Sequence, residues 1–173
     1  LVDSKGVLAG AWKKNRGLTF EIWYRYSGPA HAKDRLHTIM TFVSPKGRFH
    51  DNTSHGFSSL AGKAAHLTCV LSDENGVRKA SFYSNGQLIS EKKWPWLDRF
   101  FSSSPLEIRL FPRTPGKGMT PLPPRTDILF AAIYGRPLSS DEVLKNFTAD
   151  IPIAPATAVP EDDMRITVSP STA

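Results

Sequence analysis

Residues 92–101, KKWPWLDRFF, gather more groups suited to binding than any other stretch of this chain. Trp94, Trp96, Phe100 and Phe101 offer flat apolar rings, and Lys92, Lys93 and Arg99 place positive charge beside them. Such rings stack on sugar C–H faces, anchor in a partner's pocket or sit at a membrane interface. Large aromatics also close the edges of β-sandwiches, and that structural use is the simpler one for Trp94 and Trp96. The six residues Lys92, Lys93, Trp94, Trp96, Arg99 and Phe100 are therefore the candidate ligand- or partner-binding set.

Catalytic constellations are harder to find. Glycoside hydrolysis needs two carboxylates flanking one bond. Glu21 stands in a strand-like run beside Trp23, with no carboxylate two residues on. The pairs Asp73-Glu74 and Asp141-Glu142 fall at a turn and at a helix start, where acids have structural work. No nucleophile elbow, phosphate-cradling loop or H-E-x-x-H zinc motif occurs. His50-Asp51 and His55 share a polar loop, but their spacing matches no zinc pattern. The lone cysteine, Cys69 in HLTCVLSD, has no electropositive surroundings and reads as a small buried hydrophobe. It forms no internal disulfide, so packing must hold the fold.

Charge sets the kind of partner. The chain carries +6 overall; residues 151–173 hold three acids and one base, so residues 1–150 carry +8. A basic body favours anionic partners such as acidic glycans, lipid headgroups or acidic proteins. No basic run or nucleic-acid signature is present, which argues against nucleic acid. No apolar run is long enough to span a membrane as a helix. The chain begins at Leu1 without an initiator Met or a basic-then-apolar leader, so it reads as a processed form or fragment whose targeting segment is not included.

The elements that position these residues are short strands. LTFEIWYRY, residues 18–26, alternates with Leu18, Phe20, Ile22 and Tyr24 on one face and Thr19, Glu21, Trp23 and Arg25 on the other. Residues 36–43 predict a second strand, closed by SPKG, and residues 48–59 a strand edge and a loop. HLTCVLSDENG, residues 66–76, reads as a strand and a turn. Asn85-Gly86 between two alternating runs specifies a two-residue hairpin turn, because both residues must take positive φ. Residues 79–84 and 87–92 should therefore pair antiparallel. Residues 105–112 and 127–135 complete the set, on either side of a Pro- and Gly-rich loop over 112–126.

Strands at such spacing, without intervening long helices, predict an all-β antiparallel sandwich or barrel. Ser139 and Glu142 make the S-x-x-E capping box, with Leu138 and Val143 at the staple positions. The helix they start, ending near Phe147, is too short to stand alone and must lie on the sandwich. Residues 151–173 read as a Pro-rich extended tail or linker, in which MRITVS is either a lone strand or the start of a further module. The domain is thus 1–150. Two glycosylation sequons, at Asn52 and Asn146, are of a kind that chance supplies, and Asn146 in a packed helix is a poor acceptor.

Four segments resemble the laminin-G-like and concanavalin-A-like jelly-roll superfamily, in that family's order over residues 18–149. LTFEIWYRY resembles its first core strand, HLTCVLSDENG its H-[VL]-x-[VC]-x-x-x-D-x-G segment, and SFYSNGQLI its LYVNGQLV hairpin. AAIYGRPLSSDEVLKNFTA resembles its terminal strand and short helix. Arg109-Leu110-Phe111-Pro112 stands where the family usually has a glycine, and PPRTD replaces the glycine before the last strand.

The resemblance implies an antiparallel β-sandwich jelly roll with one short C-terminal helix, and a non-catalytic, lectin-like module that recognises glycan or protein outside the cytoplasm, periplasmic or at a cell surface. A glycosidase of the family would carry E-x-D-x-x-E on one strand, and this chain has none. No cofactor is expected; some relatives bind calcium, for which Asp51, Asn52 and Asp73 are the oxygen donors to consider. The alternative is a structural subunit that docks through the 112–126 loop and the 151–173 tail onto a larger membrane-associated assembly.

Overall fold

The computed structural model describes residues 2–3, 6–26, 40–44, 47–50, 64–95, 97–101, 106–110 and 126–149. Two antiparallel sheets form. The larger has the order β7-β6-β5-β2-β9, built from β2 (Gly17–Tyr26), β5 (Ala64–Glu74), β6 (Val77–Ser84), β7 (Gln87–Lys93) and β9 (Thr126–Tyr134). The smaller has the order β1-β8-β3-β4, from β1 (Val2–Asp3), β3 (Met40–Ser44), β4 (Gly47–His50) and β8 (Leu106–Leu110). The architecture is the expected antiparallel jelly-roll sandwich.

The core lies between the sheets. Leu18 and Phe20 of β2, Cys69 and Leu71 of β5, Ala80 and Phe82 of β6 and Ile108 of β8 form one buried cluster. Two short helices complete it. Helix α1 (Val7–Asn15) contributes Leu8 and Trp12, and α2 (Leu97–Phe101) contributes Leu97 and Phe101. Trp12 stacks on Phe101 at 4.9 Å between centroids and donates its indole N–H to Asp98 Oδ1 at 2.9 Å. Both helices are additions to the single helix expected from the sequence. Helix α1 has no capping side chain, starts after a left-handed Gly6 and holds Gly10 inside. Its stability comes from burying Leu8 and Trp12, a tertiary effect that local propensity does not register.

Both hairpins of the larger sheet turn on Asn-Gly. Asn85 and Gly86 have φ of 49° and 76°, and Asn75 and Gly76 have 54° and 83°, as a primed two-residue turn demands. Pairing runs Val77 to Glu74 in one hairpin and Ser84 to Gln87 in the other, and β7 carries a bulge opposite Phe82/Tyr83.

The C-terminal helix α3 (Ser140–Thr148) lies on the outer face of the larger sheet. Its capping box is complete: Glu142 N donates to Ser139 Oγ at 3.2 Å, and Ser139 N donates to Glu142 Oε2 at 2.8 Å. Leu138 and Val143 bury against Val70 and Tyr83. Thr19 ties the preceding turn to β2, donating to Arg136 O and accepting from Leu138 N, each at 2.9 Å. A Cβ on Gly17 would come within 2.6 Å of both Leu71 O and Pro137 Cδ, so only glycine lets this turn approach the sheet. With the small sheet on one side and α3 on the other, β5 is buried at nine successive positions instead of alternating.

Candidate functional site

The structure distributes the sequence-derived binding set unevenly. Trp94, 8 % exposed, joins the core and meets the Phe82 ring edge-on at 5.6 Å between centroids. Its backbone N–H donates to Arg78 O at 2.8 Å, and its own carbonyl accepts from Leu97 N at 3.2 Å. As placed, Trp94 packs into the core and closes the sandwich, the structural use its ring also allowed. The hairpin returns its strand over the core at this point, and a ring this size is drawn inward. Trp96 lies outside the described residues. Arg99 and Phe100 fall on α2, with only their backbone described. Lys92 and Lys93 are exposed at the end of β7, with Lys92 Nζ 5.8 Å from the Phe82 ring centroid.

Of the calcium donors, Asp51 and Asn52 lie outside the described residues. Asp73 is buried and committed elsewhere: Arg16 pairs with its Oδ2, Arg78 Nε approaches the same oxygen at 3.2 Å, and Gly76 N donates to Oδ1 at 2.9 Å. A carboxylate held by two guanidinium groups has little left for a cation. Among the described residues no three His, Cys, Asp or Glu side chains cluster as a metal site.

A second constellation escaped the sequence reading. On the outer face of the larger sheet, beneath α3, Glu21 and His66 are both buried, with His66 Nε2 2.7 Å from Glu21 Oε1. Register sets them diagonally, since Glu21 is opposite Thr68 and Trp23 opposite His66. Tyr134 of β9 donates its O–H to Glu21 Oε2 at 2.6 Å, and Asn146 of α3 donates to the same oxygen at 2.9 Å and to the Tyr134 oxygen at 3.0 Å. Thr68 Oγ1 stands 3.3 Å from His66 Nε2. Phe147 lies over the His66 and Trp23 rings, 5.8 and 5.7 Å between centroids. Among the described residues, His66 Nδ1 has no hydrogen-bond partner.

Burial works to raise the Glu21 pKa, but the hydrogen bonds from His66 and Tyr134, electrostatic attraction to His66 and the bond from Asn146 outweigh it. The carboxyl is held below its ordinary value. Burial, reinforced by the bond to Glu21, pushes the Tyr134 phenol well above its own. The group is a carboxylate fixed by three donors from three elements. No periodicity announces it, because its members are 125 residues apart at the extremes. The alternation of the strands concealed it, because Glu21 and His66 fall out of phase with Phe20, Ile22, Leu67 and Cys69, on faces that read as the more polar ones until α3 covers them.

Elsewhere among the described residues, several large apolar side chains reach the surface. Leu88 and Ile89 on β7, Leu144 on α3 and Phe130 on β9 are large apolar side chains left 40–53 % exposed. Leu88 is opposite Tyr83, so it shares the face that α3 covers. Among the described residues no helix is long and apolar enough to cross a membrane.

No protein-family model matches the chain, and neither does the sequence of any curated protein. Solved structures do resemble it. The heptameric SAP-like pentraxin of Limulus polyphemus superposes with a TM-score of 0.50 at 10 % identity, covering 78 % of this chain and 70 % of the pentraxin. The CBM40 of the Ruminococcus gnavus IT-sialidase, bound to α2,3-sialyllactose, gives 0.49 at 12 % identity, covering 80 % and 86 %. The binding domain of botulinum neurotoxin serotype D gives 0.49 at 14 % identity, covering 76 % and 35 %. At these identities the likeness is one of fold, the jelly-roll sandwich.

Proposed function

We propose that the chain is a non-catalytic, lectin-like binding module of laminin-G-like type, acting outside the cytoplasm on an anionic glycan or protein surface. The observation that carries this reading is the use made of Glu21. Both its oxygens are occupied by structural donors, α3 covers it, and among the described residues no second carboxylate faces it. A glycosidase needs a free pair of acids around an accessible bond, and this acid serves as a bolt between helix and sheet.

The contact surface in this reading is the outer edge of β7. Lys92 and Lys93 supply charge there, and Leu88 and Ile89 supply apolar area. The +8 of residues 1–150 supports an anionic ligand. Trp94 is excluded from the contact because it belongs to the core.

A glycan array probed with the wild type and with K92A/K93A tests the proposal, with thermal melting to confirm that the variant folds. Retained acidic glycans in the wild type and their loss in the variant are expected. Binding indifferent to the double substitution would remove this surface, and release of cleaved sugar from any array position would remove the non-catalytic reading.

A further inference from the structure

The dipeptide Asn-Gly occurs twice in the sequence, at Asn75-Gly76 and at Asn85-Gly86. Both pairs form the same two-residue turn, with φ of 54° and 83° in the first and 49° and 76° in the second. The turns join neighbouring strands of one sheet, β5 to β6 and β6 to β7. Asn-Gly is also a dipeptide prone to self-modification, because glycine sets no Cβ beside the amide nitrogen that attacks the asparagine side chain. The fold puts these two identical pairs in opposite surroundings.

Asn85 is held from two sides. Its Oδ1 accepts from His66 N at 3.0 Å, and its own backbone N–H donates to His66 O at 2.8 Å. Gly86 is buried, and a Cβ there would lie 3.0 Å from Leu144 Cδ1 and 3.1 Å from Phe147 Cδ1, both on α3. The Asn85 carboxamide is thus fixed to β5, and α3 lies against the glycine that would have to attack it. At the other turn Glu74, Asn75, Gly76 and Val77 are all exposed. Gly76 N donates to Asp73 Oδ1 at 2.9 Å, so the attacking nitrogen is tethered in the closed turn and released when the hairpin end opens. Opening an exposed hairpin end costs little, whereas freeing Asn85 requires α3 and the β5 contact to yield together.

We propose that Asn75 is a self-modification site, at which Gly76 N and a water molecule convert the side-chain amide to an acid, and that the fold protects Asn85 from the same reaction. In the first step the Gly76 nitrogen bonds to Asn75 Cγ and gives up its proton, the Cγ–Nδ2 bond breaks and ammonia leaves, closing a five-membered succinimide. In the second, water adds to one of the two ring carbonyls and the ring opens. Addition at the side-chain carbonyl yields aspartate; addition at the main-chain carbonyl yields isoaspartate, which carries an extra methylene in the backbone. One water is consumed and one ammonia released, with no oxidant or reductant. The aspartate form keeps the turn, since Asp-Gly suits it as Asn-Gly does. The isoaspartate form lengthens the main chain between Glu74 and Val77, which face each other across the turn, and displaces Gly76 from Asp73. Either product sets a new negative charge on the basic body of the chain. The reaction rests on no part of the ligand-binding reading.

The full chain, incubated in heavy-oxygen water at mildly alkaline pH and mapped by peptide mass spectrometry over time, tests the proposal. New acid carrying heavy oxygen should accumulate at position 75, as aspartate and isoaspartate, and at least about tenfold more slowly at position 85. In guanidinium chloride, where β5 and α3 no longer hold Asn85, the two sites should react at similar rates. Equal rates at the two sites of the native chain, or a native chain that keeps its amide at 75 while both sites react in denaturant, would overturn the proposal. A preference for 75 that persists undiminished in denaturant would overturn the protective role of the fold, and new acid without heavy oxygen would overturn the succinimide route.

Discussion

His66 reaches diagonally across the β2–β5 ladder to Glu21, Nε2 2.7 Å from Oε1, and α3 closes over the pair through Asn146 and Phe147. The contact joins the centre of the sheet to the last helix of the described fold. It converts an acid on a buried face from a liability into a fastening.

Removing the acceptor should therefore cost more than a surface change. In Glu21→Ala, the His66, Tyr134 and Asn146 donors lose their common acceptor while remaining under α3. A loss of at least about 3 kcal/mol is expected, since each buried group left without its partner costs about 1–3 kcal/mol. Urea unfolding of the wild type and variant measures it. Loss within about 0.5 kcal/mol, the range of ordinary surface changes, would show that the network contributes nothing.

The same carboxylate predicts an acid dependence. Its folded pKa lies below the unfolded value of 4.5, so it binds its proton more readily when unfolded. Its contribution is complete above 4.5 and is lost as pH falls through the folded pKa. Glu142 behaves likewise over a stated window, since the Arg136 hydrogen bond, the Ser139 backbone bond and the Arg136 charge hold it down to about 2. Unfolding midpoints recorded from pH 6 to pH 2 should fall more steeply for the wild type than for E21Q/E142Q. Parallel curves would refute the assignment.

Helix α3 should depend on its first turn. Ser139→Ala removes the acceptor for Glu142 N and is expected to cost about 1 kcal/mol, the usual value of an N-cap. The readout is the unfolding midpoint together with exchange of the α3 amides, which should rise before those of β5.

Two glycines should respond differently to alanine. At Gly86 (φ 76°) the penalty is conformational, about 1–2 kcal/mol, with the nearby Leu144 and Phe147 side chains able to shift. At Gly17 the new Cβ meets the Leu71 carbonyl, which is backbone and cannot yield, so about 3 kcal/mol is expected. Denaturant midpoints that reversed this order would contradict the packing of the 135–138 turn on β2.

Trp94→Ala should lower stability by about 3–5 kcal/mol, as for other buried tryptophans, whereas Lys92→Ala and Lys93→Ala should stay within about 0.5 kcal/mol. Thermal melts of the three variants check this. A well-folded Trp94→Ala would return that ring to the list of ligand contacts.

Local signals in the sequence determined much of the fold. The Asn85-Gly86 turn, the alternation in residues 18–26 and the Ser139/Glu142 capping box each rest on interactions within a few residues, and each appears as expected. What only the tertiary structure decided depends on distant partners. Trp12 and the helix that carries it are held by Phe101 and Asp98, far along the chain. Trp94 turned inward because Phe82 stands beneath it, a neighbour that no spacing rule supplies. Glu21, His66, Tyr134 and Asn146 come from β2, β5, β9 and α3, and they meet only after the ladders are in register and the helix has docked. Short-range chemistry is written in the order of residues, whereas a buried charge finds its partners only through the packing that encloses it.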